Sequence, residues 1–544
     1  MPVLSHAFFA LLLSSLLAAP AIAGEEHQHP AGDPEKLGRV SFPTSCAPAV
    51  QKQFQRGVAM MHSFWYEEAE RTFNDVAKTD PGCAMAHWGV AMSYFHPIWD
   101  TRGPDAAILK KGAEAVEKAK VLSAKTERER DYVAAIEAFY KDSEKLDHRT
   151  RVLAYEAAME RVYTRYPDDR EGTAFYSLAL LGSAAASPVD KTLARQKKAG
   201  EIAEKVFAAE PNHPGAPHYV IHAYDYPPLA EKALPAARAY AKIAPDAPHA
   251  LHMPSHIFTR LGLWQESIES NTASALAAHK VGMAGEELHA SDYLEYAYLQ
   301  TGQDQQAKRV LDQMAANKAG LSNYFAGVYA TAAMPARYVV ERRRWEEAAK
   351  LPVPSDSPGG KLSWAEATVY YARVLGSSHT GDLEGARQAI QKLEAARNTL
   401  TELRETYWAG QVEIQRREAA GTLSYAQGKK DEALDLLRSA ADMEDASEKH
   451  PVTPGPVVPA RELLGEMLLA LDKPAEALAA FESTLQRSPN RFNALYGAAR
   501  AAQMAGQREK ARQYYSALVA VSDPVSPRPE LRTAKSYLQE VARK

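Results

Sequence analysis

Three observations predict an all-α fold, a superhelical solenoid of helical hairpins. Apolar residues recur at helical spacing almost throughout the chain. Strand-like alternation is scarce and Ala is abundant. The punctuation is also regular: a small residue, an aromatic four positions on, then a further residue three later. It occurs at Ala69, Phe73 and Val76, at Ala477, Phe481 and Thr484, and at Ala511, Tyr515 and Leu518. In the first two sets a proline follows five residues on, Pro81 and Pro489; in the third, Pro524 comes one position late. A small residue lets two helices approach, the aromatic fills the gap to the next hairpin, and Pro ends the helix.

From the start of the chain, "MPVLSHAFFALLLSSLLAAPAIA" reads as a signal peptide over 1–23, an apolar run closed by an A-x-A site. Its n-region carries no Lys or Arg. An exported protein, periplasmic or extracellular, is expected, with a flexible tail over 24–45 in which "EEHQHP" reads as disordered tail, weak copper or nickel binding being the alternative. Two cysteines, Cys46 and Cys83, suggest one disulfide in an oxidising compartment, the alternative being two buried thiols. Without a CxxC, zinc on these two alone is not expected. The net charge of −4, from 64 basic and 68 acidic residues, implies no basic face, so nucleic acid is not a favoured partner. No later segment approaches the roughly 20 apolar residues of a membrane span.

Along the body, "EKAKVLSAKTERERDY" (Glu117–Tyr132) reads as a solvated helix face. "LPVPSDSPGGK" has no helical period and reads as a linker, so the solenoid is divided into 46–350, a linker over 351–362, and 363–544. "HPVTPGPVVP" (His450–Pro459) is a second Pro-rich insertion. Phosphate-loop, GxSxG and CxxCH motifs are missing.

"LDKPAEALAAFESTLQRSPNRFNALYGAARAAQMAGQREKA" resembles the tetratricopeptide repeat, a helix-turn-helix unit of about 34 residues. More degenerate matches extend from about residue 50 to 520, and the whole-chain layout is similar to uncharacterised exported repeat proteins of bacteria. The resemblance implies a concave groove lined by first helices and a protein or peptide partner, with Arg337, Asn493 and Arg500 as contacts.

"APHALHMPSHIFTRLGLW" (Ala247–Trp264) places His249, His252 and His256 within eight residues. At about 100° per residue all three share a face. Gly262 and Trp264 mark the hairpin turn, and Pro254 is expected to kink the helix. One repeat earlier, His218 and His222 occupy the matching positions (252 − 34 and 256 − 34), predicting a two-by-two imidazole cluster. One repeat later, counting back from Gly302, His289, Asp292 and Tyr296 fall on the same face. His218, His222, His249, His252, His256, His289 and Asp292 are thus candidate ligands for zinc, copper, nickel or iron. Tyr224, Asp225, Arg260, Tyr296 and Arg337 are candidate groove residues, Tyr224, Asp225 or Asp292 serving as acid or base if a metal-dependent hydrolase is built here. A polar ligand groove without metal, a protein-interaction scaffold and hydrogen-bonded structural histidines are the alternatives. The echo "AMPARYVVERRRWEEA" (Ala333–Ala348) keeps Met, Pro and Trp but replaces His252 and His256 by Ala333 and Arg337, so Met253, Pro254 and Trp264 read as packing. His62 and His96, with Trp65 and Trp99, repeat at the same spacing and also read as packing.

Overall fold

The computed structural model describes residues 36–98, 103–316, 325–353 and 362–543. The signal-peptide reading over 1–23, the EEHQHP motif, Trp99 and most of the expected linker lie outside them. Among the described residues there are twenty-six α-helices, one short 3₁₀ turn and no strand.

The repeating unit is visible in its packing. Phe73, on the Tyr66–Thr79 helix, lies between Gly57 of the preceding helix and Gly89 of the next; a Cβ at either glycine would meet the ring at 2.8 or 2.5 Å. Phe481, on the Pro474–Arg487 helix, lies in the same way between Gly465 and Gly497, where a Cβ would meet it at 2.9 or 2.3 Å. Glycine thus lets three helices close around one aromatic ring.

Residues 36–544 form one compact unit, and the division expected at 351–362 falls inside it. One apolar core cluster runs from Leu37 to Phe258, and a second, from Leu299 to Ala511, joins both sides of that segment. The superhelix also turns back on itself. Trp264 Nε1 donates to the Asn490 carbonyl (2.8 Å), Arg260 pairs with Glu448 (2.7 Å), and the Asp523 amide donates to the Thr301 carbonyl (2.8 Å). Gly262, at φ +65°, ends its helix at this closure; a Cβ there would lie 2.2 Å from the Pro489 carbonyl oxygen.

The expected tail over 24–45 needs correction in its described part. Leu37, Val40 and Phe42 are buried, and the Phe42 ring packs on Phe54, Trp88 and Tyr132 at 5.5, 5.4 and 5.0 Å. Apolar burial holds residues 36–45 on the first helices. Immediately beyond, Cys46 and Cys83 are joined in a disulfide that closes 37 residues.

Candidate metal centre

Four helical segments carry the histidines: Gly215–Tyr224, Pro248–His252, Pro254–Leu261 and Ala284–Gln300. Pro254 lacks an amide hydrogen, and the helix stops at His252 and restarts at Pro254. All six imidazoles are buried, the most exposed being His222 at 9%. They gather not two by two but as two triplets, His218/His222/His249 and His252/His256/His289, the ligand atoms of each lying within 4.8 Å of one another. His249 reaches back to His218 (ring centroids 5.1 Å), while His252 takes His289 from the following helix (4.2 Å).

Hydrogen bonds determine which nitrogens carry protons. His252 Nδ1 lies 2.7 Å from Asn271 Oδ1, and the Asn271 amide nitrogen donates to the Ser267 carbonyl (2.8 Å). The Asn271 oxygen is therefore the acceptor, and His252 carries its proton on Nδ1. His256 Nδ1 faces Asp225 Oδ2 at 3.0 Å. Asp225 also takes Arg260 on Oδ1 (2.8 Å) and Lys449 on Oδ2 (3.2 Å). It is an ionised acceptor, so His256 too is protonated on Nδ1. Neutral His252 and His256 then direct bare Nε2 lone pairs at each other across 3.0 Å. In the other triplet His218 Nδ1 donates to the His62 carbonyl (2.6 Å), leaving its Nε2 bare and 3.1 Å from His222 Nε2.

Burial dominates the electrostatics. It holds His218, His222 and His252 well below the ordinary imidazole value, and neighbouring imidazoles add to the effect. Burial likewise takes His256 down to about 4, against the pull of Asp225, and His289 to about 3. For Asp225, burial acts upward, but Lys449 and Arg260 outweigh it and hold the carboxyl well below its usual range. Burial brings Lys449 down to about 8.

His62, Glu171 and His213 form another buried set with a different character. His62 Nε2 donates to Glu171 Oε2 (2.8 Å) and its Nδ1 accepts from the Tyr219 hydroxyl (2.7 Å). His213 Nε2 donates to Glu171 Oε1 (3.2 Å) and its Nδ1 accepts from the Ala216 amide (3.1 Å). Every nitrogen here has a matched partner, so the set is complete without a cation. His62, expected only to pack, is linked through its carbonyl to His218. His96 stacks on Tyr66 at 4.2 Å and Trp65 is buried, both packing roles.

Several expected residues fall elsewhere. Asp292 lies outside both triplets because Arg337 Nη1 holds its Oδ1 at 2.6 Å. Arg337 is fully buried and shared with Glu295 (3.1 Å), so it is not a groove contact. Asn493 is buried as well, donating to Glu341 (2.7 Å), whereas Arg500 is exposed. Tyr224 faces away from the histidines: its ring presses on Gly200, where a Cβ would lie 2.3 Å from it. Tyr296 accepts from Arg491 Nη1 at 3.1 Å. Tyr293 was missed in the sequence; its ring lies 4.9 Å from both His252 and His256. Asn271 and Lys449 were missed too. Asn271 lies on the helix after the turn, and Lys449 is more than two hundred residues from Asp225.

Residues 468–527 match the family model of the tetratricopeptide repeat. That segment is a tetratricopeptide repeat. The matched segment includes Phe481 and Gly497, and the Gly57–Phe73–Gly89 packing repeats its plan near the other end. Three solved structures align along most of the chain. One is the APC/C hetero-tetramer Cut9–Hcn1, at 11% identity and TM-score 0.33, covering 90% of this chain and 89% of that one. Another is the human IFIT1 dimer with PPP-AAAA, at 12% identity and TM-score 0.36, covering 81% and 91%. The third is Naa15/Naa10 bound to HypK-THB, at 13% identity and TM-score 0.24, covering 90% and 74%. No curated protein sequence matches the chain.

Arg260 and Lys449 also line an open cleft on the side away from the histidines. Tyr329, Trp364, Tyr407 and Trp408 line it, together with the buried carboxyl of Glu418. Among the described residues no helix is long and apolar enough to cross a membrane.

Proposed function

We propose that this protein binds a transition-metal ion between His252, His256 and His289, using the helical repeats as a rigid frame. One observation carries the reading: two Nε2 atoms 3.0 Å apart, each with its Nδ1 proton already committed to Asn271 or Asp225. Neutral imidazoles so arranged repel unless a cation lies between them, and a buried imidazolium is opposed by desolvation. The Asp225–His256 contact is the carboxylate–histidine arrangement that orients metal ligands. Zinc, copper, nickel and iron all suit imidazole. Three protein ligands leave a coordination position open, which is what a hydrolytic or redox activity needs. Export to an oxidising compartment is part of the proposal, supported by the Cys46–Cys83 disulfide.

Elemental analysis of the protein, purified without a histidine tag, tests this. At least one equivalent retained through gel filtration, with one equivalent fewer in a folded His252→Ala/His256→Ala variant, is expected. A protein that stays metal-free after reconstitution with all four metals sinks the reading.

A second reading is favoured by the aromatic cleft: a scaffold for a protein or peptide segment, held on Trp364 and Trp408. A co-purifying peptide lost on Trp408→Ala, with metal content unchanged, would support it.

A further inference from the structure

We infer that the histidines hold two metal ions, one in each triplet, with the Glu286 carboxylate shared between them. The inference rests on the metal-binding reading above and extends it from one ion to a coupled pair.

The two triplets follow one plan. Each begins with a pair of histidines four residues apart, His218/His222 on one helix and His252/His256 across the Pro254 break, whose Nε2 atoms meet at 3.1 and 3.0 Å. In each pair the first imidazole donates from Nδ1 to an oxygen that can only accept, the His62 carbonyl (2.6 Å) or Asn271 Oδ1 (2.7 Å), so its Nε2 is presented bare. A third imidazole completes each set from another segment, His249 for the first and His289 for the second. Metal–imidazole bonds of about 2.0–2.1 Å place two ligands of one ion at most about 4 Å apart. The donors of each triplet, within 4.8 Å of one another, need only a small closure to meet that limit.

The triplets also interlock. His249 and His252 are neighbours on one short helix with ring centroids 6.2 Å apart, and His222 and His256 approach to 6.4 Å. The two sites thus part between His249 and His252: His249 serves the earlier pair, while His252, with His256 beyond the Pro254 break, serves the later one. Glu286 enters from the start of the Ala284–Gln300 helix, three residues before His289. Its Oε2 lies 3.5 Å from His249 Nδ1, and its charge acts on His289. It thus lies against the third ligand of the first triplet and one turn before that of the second on the same helix, at 8% exposure, where a carboxylate with two oxygens can serve two cations. The His62–Glu171–His213 set, in which every nitrogen has a matched partner, is not part of this centre.

Among first-row divalent ions an all-imidazole set takes copper most tightly. The test is therefore copper(II) titration of the tag-free protein, read by bound copper per chain and by the electron paramagnetic resonance of the bound ions. Two equivalents are expected, with an integrated signal well short of the copper bound because the two spins couple. His218→Gln/His222→Gln and His252→Gln/His256→Gln should each retain one equivalent with the full signal of one isolated ion. Glu286→Gln should keep two equivalents and recover the signal of uncoupled ions. Circular dichroism and melting of each variant confirm that it is folded, and single His249→Gln and His289→Gln variants, expected to retain one tight site each, repeat the test at positions that leave the pairs intact. One equivalent in the native protein overturns the two-ion proposal while leaving the metal-binding reading standing. No bound copper overturns both, and two equivalents with the full signal of two isolated ions overturns the shared carboxylate.

Discussion

Asp225 Oδ2 accepts the Nδ1 proton of His256 at 3.0 Å, and Lys449 and Arg260 hold the same carboxylate on Oδ2 and Oδ1. The imidazole is thereby oriented by residues that lie outside the proposed metal site. Asp225→Asn keeps an acceptor but removes the charge that Lys449 and Arg260 balance. Metal affinity, measured by competition with a chelator, should fall about 10–100-fold. An unchanged affinity would show that Asp225 orients nothing.

Arg337 faces two buried carboxyls, Asp292 and Glu295, with one positive charge. Burial pushes Glu295 from 4.5 up to about 8, Arg337 offsetting part of the rise. The folded carboxyl therefore keeps a proton that the unfolded chain has released. The stability this contributes is full below about 4.5 and is lost as pH rises through about 8. In Glu295→Gln the urea midpoint, relative to the native protein, should climb between pH 5 and 8. A gap that stays constant over that range would refute the assignment.

A methyl group at residue 497 would lie 2.3 Å from the Phe481 ring. Gly497→Ala should cost about 1–3 kcal/mol by overpacking, although Ala is the better helix former. Denaturant unfolding reads the cost, and a gain in stability would mean the helices separate freely.

The Cys46–Cys83 bridge anchors the Phe42 segment to the first hairpins. Removing it with Cys46→Ser/Cys83→Ser should lower stability by about 2–5 kcal/mol. The native protein treated with reductant should reproduce the change; identical melting in both states would show that the bridge is dispensable.

Much of the centre was legible in the residue numbers. His218/His222 and His252/His256 are paired four apart and one repeat apart, and both pairs do meet at their Nε2 atoms. The turn at Gly262 and the interruption at Pro254 were legible for the same reason: a proline and a left-handed glycine act on the backbone locally. Asp292 was placed on the right helix and the right side, yet Arg337, one helix further on, takes it. Periodicity gives the angular position of a side chain, not which neighbour reaches it first.

The sequence by itself determined the all-α repeat architecture, the aromatic packing positions Phe73 and Phe481 and the two histidine pairs, because each depends on spacing within one or two helices. Only the tertiary structure decided that His249 joins the earlier pair and His289 the later, that His62 supports His218, and that Lys449 reaches Asp225 from the far end of the chain. Those contacts depend on superhelical closure. Closure is the sum of many small rotations between successive hairpins, each set by side-chain packing across the whole unit. No local stretch of sequence contains that sum.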